Sequence, residues 1–196
     1  MKIRAKEWPT AARVRSDEED VVSLNSLNQL PAFIDEGIVN TIVETPRGSQ
    51  NKFNFDSETG LFKLGAAMPA GVTFPFEFGF IPSTLGQDGD PLDILILLDA
   101  PTFVGCLVIV RLIGVIEAKQ TDENKKYVRN DRIIGVATKS RRHESVKGLR
   151  DVPAALVAEI EHFFVAYNRI KGKKFKVLGR FGPKRARELV KAAIQK

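Results

Sequence analysis

The sequence has a single cysteine, Cys106, and only two histidines, His143 and His162, among its 196 residues. One cysteine cannot form an internal disulfide, so we expect a reducing, cytoplasmic setting. Two histidines are too few for a histidine-rich zinc site. No apolar run approaches the roughly 18 residues of a membrane span, and the polar N-terminus lacks a hydrophobic signal segment. We therefore expect no membrane partner.

Charge of one sign is not concentrated in any part of the chain. Lys and Arg total 30 against 24 Asp and Glu, which gives a net charge of +6. Two modest basic clusters, residues 139–150 and 171–176, are not interleaved with the exposed aromatic residues that single-strand binding proteins use. Solubility and an attraction for small phosphate anions both explain the balance. We expect no nucleic-acid partner, although an OB-type nucleic-acid binder remains an alternative.

The chain divides into a short polar start and one long domain. Residues 1–30 are polar and predict an N-terminal arm or short helices. Residues 31–196 are expected to form a single domain, long enough to bury a sizeable core.

The first part of this domain has the patterns of strands. β-branched residues and polar–apolar alternation predict strands, and these strands fall within residues 37–64, 94–98, 104–116 and 133–137. Residues 71–82 are aromatic but broken by glycine and proline, which favours short, kinked strands or loops.

The last third has the patterns of helices. Apolar residues recur at helical spacing in residues 153–170, and residues 183–195 resemble a second helix. Strands followed by helices predict an α+β fold, a small β-barrel with helices against it.

Three carboxylates, Asp88, Asp90 and Asp93, crowd the segment GQDGDPLDILIL just before an apolar run. Gly89 permits a tight turn and Pro91 favours an extended backbone at Asp90, so the three side chains can converge. Carboxylates this close repel one another unless a cation compensates. An all-oxygen set suits a hard cation, above all Mg²⁺ with phosphate as co-ligand.

Two other interpretations of this cluster compete with a metal site. A solvated acidic turn is a common use of Asp–Gly and Asp–Pro sequences and remains an alternative. An EF-hand is excluded, because Leu92 and Asp93 stand where an oxygen ligand and a glycine belong.

A second acidic pair, Asp122 and Glu123, follows a predicted strand in the segment TDENKK. Alone, this pair is typical of a solvated turn. Combined with the first cluster, it offers a second set of carboxylate ligands for another metal ion.

The acidic segments belong to a longer pattern. FEFGFIPSTLGQDGDPLDILIL, followed by APTFVGCLVIVRLIGVI and TDE, resembles the family I (soluble) inorganic pyrophosphatases, whose signature is D-x-D-P-[apolar]-D. The segments ETPRGSQNKF and IEHFFVAYNRIKGKKFKV extend the likeness over roughly residues 37–180. The resemblance implies a small five-stranded, OB-like β-barrel with flanking C-terminal helices, and a homo-oligomer.

The resemblance also implies an activity, the Mg²⁺-dependent hydrolysis of inorganic pyrophosphate to two phosphates by a metal-activated water. The implied metal set is Asp88, Asp90, Asp93 and Asp122. Within it, Asp88 and Asp93 would ligate the first ion, and Asp90 would take a proton from the attacking water.

Four further residues would handle the substrate. Glu44 would lie on the outer side of the metal–water network, and Lys52 and Tyr167 would bind phosphate oxygens. Arg132 stands where the family usually has a phosphate-contacting lysine.

Several positions depart from the family pattern. They are Asn54 for a glutamate, Gly65 or Ala66 for an arginine, Phe74 and Phe78 for tyrosines, Glu77 for a small polar residue, Asn130 for a ligand aspartate and Asn168 for a lysine. These replacements keep the acidic cluster but remove many of the side chains that would bind phosphate. Two alternatives therefore stay open, a catalytically weakened binding or regulatory protein and a hydrolase of another phosphate compound.

Overall fold

The computed structural model describes residue 27 and residues 30–195, so the predicted N-terminal arm lies almost wholly outside the described residues. The described strands are Phe33–Asp35 (β1), Ile38–Thr45 (β2), Asn51–Asp56 (β3), Leu61–Ala67 (β4), Glu77–Phe80 (β5), Asp93–Leu97 (β6), Leu107–Thr121 (β7), Tyr127–Arg129 (β8), Arg132–Ala137 (β9) and Phe175–Phe181 (β10). The described α-helices are Ala154–Ile170 (α1) and Pro183–Ala193 (α2).

Five of these strands close into a barrel. Neighbouring strands follow the order β2–β5–β6–β9–β7, and β7 pairs back with β2 to complete the ring. The closing pair is antiparallel and aligns Ile38 with Arg111. The pair β6–β9 is parallel, whereas the other pairs of the ring are antiparallel. The predicted five-stranded barrel with C-terminal helices is confirmed.

The apolar run of β6 is buried on both of its faces. Ile94 and Ile96 belong to a core cluster that includes residues of α2, whereas Leu95 and Leu97 belong to one that includes residues of α1. A strand covered on both faces has a nearly continuous hydrophobic sequence, as this one does. Asp93 is the first residue of the strand and stays only partly buried.

Helix α1 packs against the barrel through one apolar stripe. Its buried residues include Val157, Ile160, Phe164 and Tyr167, which recur at helical spacing. The predicted helix over 153–170 therefore agrees with the structure to within one residue. Neither α1 nor α2 has the length and apolar character needed to cross a membrane.

Strand β10 is not predicted by the sequence pattern. It lies between the two helices and extends the sheet by pairing antiparallel with β7. Phe175 and Val177 are half-buried, whereas Lys176 and Leu178 between and after them are exposed. This alternation is the signature of a half-buried strand.

Candidate active site

The acidic turn before β6 is held by backbone hydrogen bonds. The Gly86 N–H donates to the Asp90 carbonyl over 2.7 Å, and the Gly89 N–H donates to the Gly86 carbonyl over 3.3 Å. Gly89 has a φ of 90°, a left-handed conformation that favours glycine. Asp88 and Asp90 flank this glycine, and Asp93 opens the strand that follows. The tight turn expected from the sequence is therefore present.

The parallel pairing of β6 with β9 brings a second set of residues to the same edge of the barrel. Ile94 lies opposite Ile133, so the preceding residues, Asp93 and Arg132, become neighbours. Arg132 Nη1 donates hydrogen bonds to Asp93 Oδ2 and to Asn130 Oδ1. The two loops thus meet through a chain of polar contacts.

A pocket of about 340 Å³ opens at this edge. Helix α1, the loop after it and the strands β2, β3 and β5 supply the other walls. All but one of the residues predicted for the site line this pocket, namely Glu44, Lys52, Asp88, Asp90, Asp93, Arg132 and Tyr167.

Asp122 is the exception, because it does not line the pocket. It follows the end of β7, where its Oδ1 accepts a hydrogen bond from the Lys126 N–H over 2.8 Å. The Asp122 N–H also donates to the Lys126 carbonyl over 2.8 Å. The carboxylate thus holds the turn between β7 and β8 and does not meet the other predicted ligands. Its metal-binding role stays a prediction.

The carboxylates at the pocket mouth destabilise one another's charge. Burial raises the pKa of Asp88, and the charges of Asp93 and Asp90 raise it further. Burial also raises the pKa of Asp93, although the cations of Arg132 and Lys52 oppose this effect. A cation bound between the carboxylates would relieve the repulsion.

Glu44 and Lys52 form a buried ion pair that lines the same pocket. Lys52 Nζ lies 2.7 Å from Glu44 Oε2 and 4.6 Å from the centre of the Phe78 ring. Glu44 Oε1 accepts a hydrogen bond from the Phe55 N–H over 2.8 Å. The pair fixes the ammonium group at the pocket wall, where it can meet an anion.

Two cations that line the pocket, Lys171 and Lys173, are missing from the predicted site. Lys171 Nζ lies 3.4 Å from the Tyr167 hydroxyl. Burial lowers the pKa of Lys171, and the charges of Lys173 and Lys52 lower it further. The sequence signal was the basic run after helix α1, which a solvated turn explains equally well.

Tyr167 also lines the pocket, on helix α1. Burial, together with a smaller contribution from the charge of Asp93, raises the pKa of Tyr167 to about 12. The phenol therefore stays protonated near neutral pH and can donate a hydrogen bond to a phosphate oxygen.

Two of the replaced aromatic positions belong to the core. Phe74 and Phe78 are 1% and 5% exposed, and their rings are 5.8 Å apart. Phe74 also packs edge-on against Tyr167, with ring centres 5.5 Å apart. Phe74 therefore supports the position of Tyr167 by packing.

The replacements at 54 and 65 fit each other. A Cβ atom added at Gly65 would lie 2.4 Å from Asn54 Nδ2, so Asn54 fills the space beside the glycine. The amide of Asn54 lines the pocket. A larger side chain at 65 therefore requires Asn54 to move.

Glu77 has a structural environment outside the pocket. It is 2% exposed, and its carboxylate accepts hydrogen bonds from the Thr102 N–H, the Thr102 hydroxyl and the Arg47 N–H. These donors satisfy the buried charge. Glu77 ties the loop after β2 to the loop before β7.

The donor chemistry of the acidic cluster fits a hard divalent cation. Asp88, Asp90 and Asp93 supply only oxygen atoms, which suits Mg²⁺ rather than softer metals. Yet among the described residues no three His, Cys, Asp or Glu side chains are grouped closely enough to hold a metal ion as they stand. Arg132 engages Asp93, and Asn130 Nδ2 donates to Asp88 Oδ2 over 2.5 Å. Asp90 is the member of the cluster without such a partner among the described side chains.

Comparison with known protein families gives one matching family model. It is described as "Inorganic pyrophosphatase" and matches residues 41–196. The matched span contains the whole pocket.

Individual inorganic pyrophosphatases are similar to this chain over most of their own length. The inorganic pyrophosphatase of Geobacillus stearothermophilus is 37% identical over 157 residues, which cover 80% of this chain and 92% of that protein. The inorganic pyrophosphatase of Synechocystis sp. is 36% identical over 78% of this chain and 88% of that protein. Among solved structures, inorganic pyrophosphatase from Thermus thermophilus superposes with a TM-score of 0.78 at 37% identity, covering 86% of this chain and 97% of that chain.

Proposed function

This chain belongs to the inorganic pyrophosphatase family, and we propose that its pocket is the catalytic centre at which inorganic pyrophosphate is hydrolysed to two phosphates. The protein is an enzyme of the hydrolase class that acts on phosphoanhydride bonds. The alternatives of a weakened binding protein and of another phosphate substrate are not favoured, because the relatives share the pyrophosphatase name across most of the chain.

The observation that carries the proposal is that carboxylates and cations line one pocket. The carboxylates of the mouth are Asp88, Asp90 and Asp93, and the cations are Lys52, Arg132, Lys171 and Lys173. A cation-binding edge beside an anion-binding surface matches a substrate that arrives as a metal–pyrophosphate complex.

The enzyme is metal-dependent, and we propose Mg²⁺ as its ion. Asp88, Asp90 and Asp93 would hold it at the mouth, and Asp122 keeps its predicted role at a further ion. When bound, Mg²⁺ supplies charge neutralisation for the phosphates and lowers the pKa of a water molecule.

Asp90 is the residue best suited to act as the general base. It is exposed at the mouth, whereas Asp88 and Asp93 are partly buried and engaged by Asn130 and Arg132. Its carboxylate accepts no hydrogen bond from the side chains of the described residues, so it is available to accept a proton from water.

The cations of the pocket would hold the two phosphoryl groups and stabilise the charge that develops on the leaving phosphate. Lys52 is positioned by Glu44, and the protonated Tyr167 hydroxyl would donate a hydrogen bond to a phosphate oxygen. Arg132 offers a planar, permanently charged group. Lys171 and Lys173 add cations on the side where Asn168 has replaced a lysine.

We further propose that the protein is a cytoplasmic homo-oligomer. The support is the family resemblance and the single cysteine, Cys106, which fits a reducing compartment.

The test of the proposed function is phosphate release from pyrophosphate with millimolar Mg²⁺. We expect turnover by the wild-type protein and a loss of about 100-fold or more in Asp90→Asn, the usual contribution of a positioned base. Glu58→Gln is the matched control, because Glu58 is an exposed acid in the turn between β3 and β4. Equal release by the wild type and Asp90→Asn would show that this pocket does not catalyse the reaction.

A further inference from the structure

Arg132 is fixed in the acidic cluster more firmly than a surface arginine. It is 3% exposed, and Nη1 contacts Asp93 Oδ2, Asn130 Oδ1 and the Asp131 carbonyl. The Nε atom is buried and has no hydrogen-bond partner among the described residues. The guanidinium therefore makes its contacts on the side that faces the cluster.

Two aromatic rings hold the guanidinium from outside the cluster. The Arg132 Cζ atom lies 4.6 Å from the centre of the Phe164 ring and 5.5 Å from that of Phe175. These rings come from α1 and β10 and stack on each other with centres 5.7 Å apart. Such a cation–π arrangement favours a desolvated guanidinium at this place.

The contacts of Arg132 leave the cluster with few free oxygen atoms. Arg132 pairs with Asp93 Oδ2 and donates to the side-chain amide oxygen of Asn130, and the Asn130 amide nitrogen donates to Asp88 Oδ2. What remains for a divalent ion is the Asp90 carboxylate and one oxygen each of Asp88 and Asp93. A magnesium or manganese ion needs about six oxygen ligands.

We propose that Arg132 acts as a resident cation beside Asp93, so that the free protein binds a divalent ion weakly and takes up its first ion together with pyrophosphate. Phosphate oxygens then supply the ligands that the cluster lacks. The negative substrate also offers the guanidinium a second partner, which lets Asp93 share its charge with the metal. This inference rests on the proposed function and adds to it an order of binding.

The test is the affinity for Mn²⁺ in the absence of any phosphate compound, measured by the electron paramagnetic resonance signal of the free ion. Arg132→Gln removes the resident cation but keeps a polar side chain. We expect it to bind Mn²⁺ roughly tenfold or more tightly than the wild type, because one positive charge within ion-pair distance is gone. Circular dichroism and a thermal melt check that the variant is folded.

Asp93→Asn is the second variant, and it decides the question if Arg132→Gln does not fold. The asparagine keeps an oxygen acceptor for Arg132. If Asp93 is occupied by Arg132 in the free protein, the variant changes Mn²⁺ affinity by less than about threefold, the scale of a weak exposed ion pair. Asp90→Asn is the positive control and is expected to lower the affinity by about tenfold or more.

Either of two results overturns the inference. One is an Mn²⁺ affinity in a folded Arg132→Gln protein that equals that of the wild type. The other is a loss of about tenfold or more in Asp93→Asn, which is the behaviour of a direct metal ligand. Phosphate release is measured in the same preparations, because it tests the two proposals separately. If the wild-type protein hydrolyses pyrophosphate but binds Mn²⁺ tightly without substrate, only the proposed role of Arg132 is rejected.

Discussion

The pKa values of single side chains in the pocket depend on the charges around them, and Lys171 is a clear example. It directly follows α1, and the nearby cations Lys173 and Lys52 add to the effect of burial in lowering its pKa. An anion bound in the pocket would relieve this repulsion. Lys171 lies three residues after Asn168, where the family resemblance places a lysine.

Lys171→Gln is expected to raise KM for pyrophosphate by roughly tenfold with a smaller change in kcat, because it removes one charge-assisted hydrogen bond worth about 1.5–3 kcal/mol at most. Steady-state phosphate release measures both constants. Lys176→Gln is the matched control, since Lys176 is exposed on β10 and does not line the pocket. A KM that is the same in both variants would remove Lys171 from the substrate-binding set.

At the scale of elements, α2 is attached to the barrel by charge as well as by apolar packing. Arg185 Nε lies 2.6 Å from Glu117 Oε1, and Arg129 Nη2 lies 2.5 Å from Glu117 Oε2. Glu117 comes from β7 and Arg129 from β8. One carboxylate therefore ties three elements together.

This attachment gives a pH-dependent stability. Although burial alone would raise the pKa of Glu117, hydrogen bonds from Arg185 and Arg129 lower it below the ordinary value of 4.5. A pKa that is lower in the folded state contributes stability above the ordinary value, and this contribution is lost as the pH falls through the folded-state pKa.

Glu117→Gln is expected to lower the free energy of unfolding by about 1–3 kcal/mol near neutral pH, because both arginines lose a charged acceptor. The difference from the wild type should shrink as the pH falls below 4.5. Denaturant unfolding at several pH values measures it. The control is Glu188→Gln, since Glu188 is an exposed partner of Arg185 at 3.7 Å and should contribute little. A difference independent of pH would contradict the role of the charge.

For the whole molecule, closure of the barrel includes a close backbone approach between β2 and β5. A Cβ atom added at Gly79 on β5 would lie 2.0 Å from the Ile42 carbonyl oxygen on β2. Backbone atoms on both sides leave no flexible side chain to give way. The ring of five strands can close here only with glycine.

Gly79→Ala is therefore expected to destabilise the protein by about 2–4 kcal/mol or to prevent folding, an effect of the size seen for the largest single substitutions. Thermal or urea unfolding followed by circular dichroism measures the loss. Gly182→Ala serves as the control, because no atom lies within 4 Å of the added methyl group. Equal stability of the two variants would show that β2 and β5 can move apart beside Gly79 at little cost in free energy.

Some features follow from neighbouring residues and are therefore predictable from the sequence. The turn that carries Asp88 and Asp90 needs only Gly89 and Pro91, all within a few positions of one another. Helix α1 has an apolar stripe long enough to specify both its type and its bounds, Ala154–Ile170. Strand β10 has a usable alternation, but it is short and lies between two helices, so the sequence pattern did not separate it from a loop.

The acidic cluster, the barrel strands and the family follow from the sequence, because each depends on spacing along the chain or on a contiguous motif. Which charges lie beside the cluster depends on the folded chain. Arg132 meets Asp93 because β6 and β9 pair in parallel with Ile94 opposite Ile133, and Lys171 joins Lys52 because α1 ends at the pocket. Asp122 does not line the pocket, and its carboxylate accepts a hydrogen bond within the turn after β7. Local sequence cannot specify these contacts, since they join residues that are distant along the chain and become neighbours only when the barrel closes.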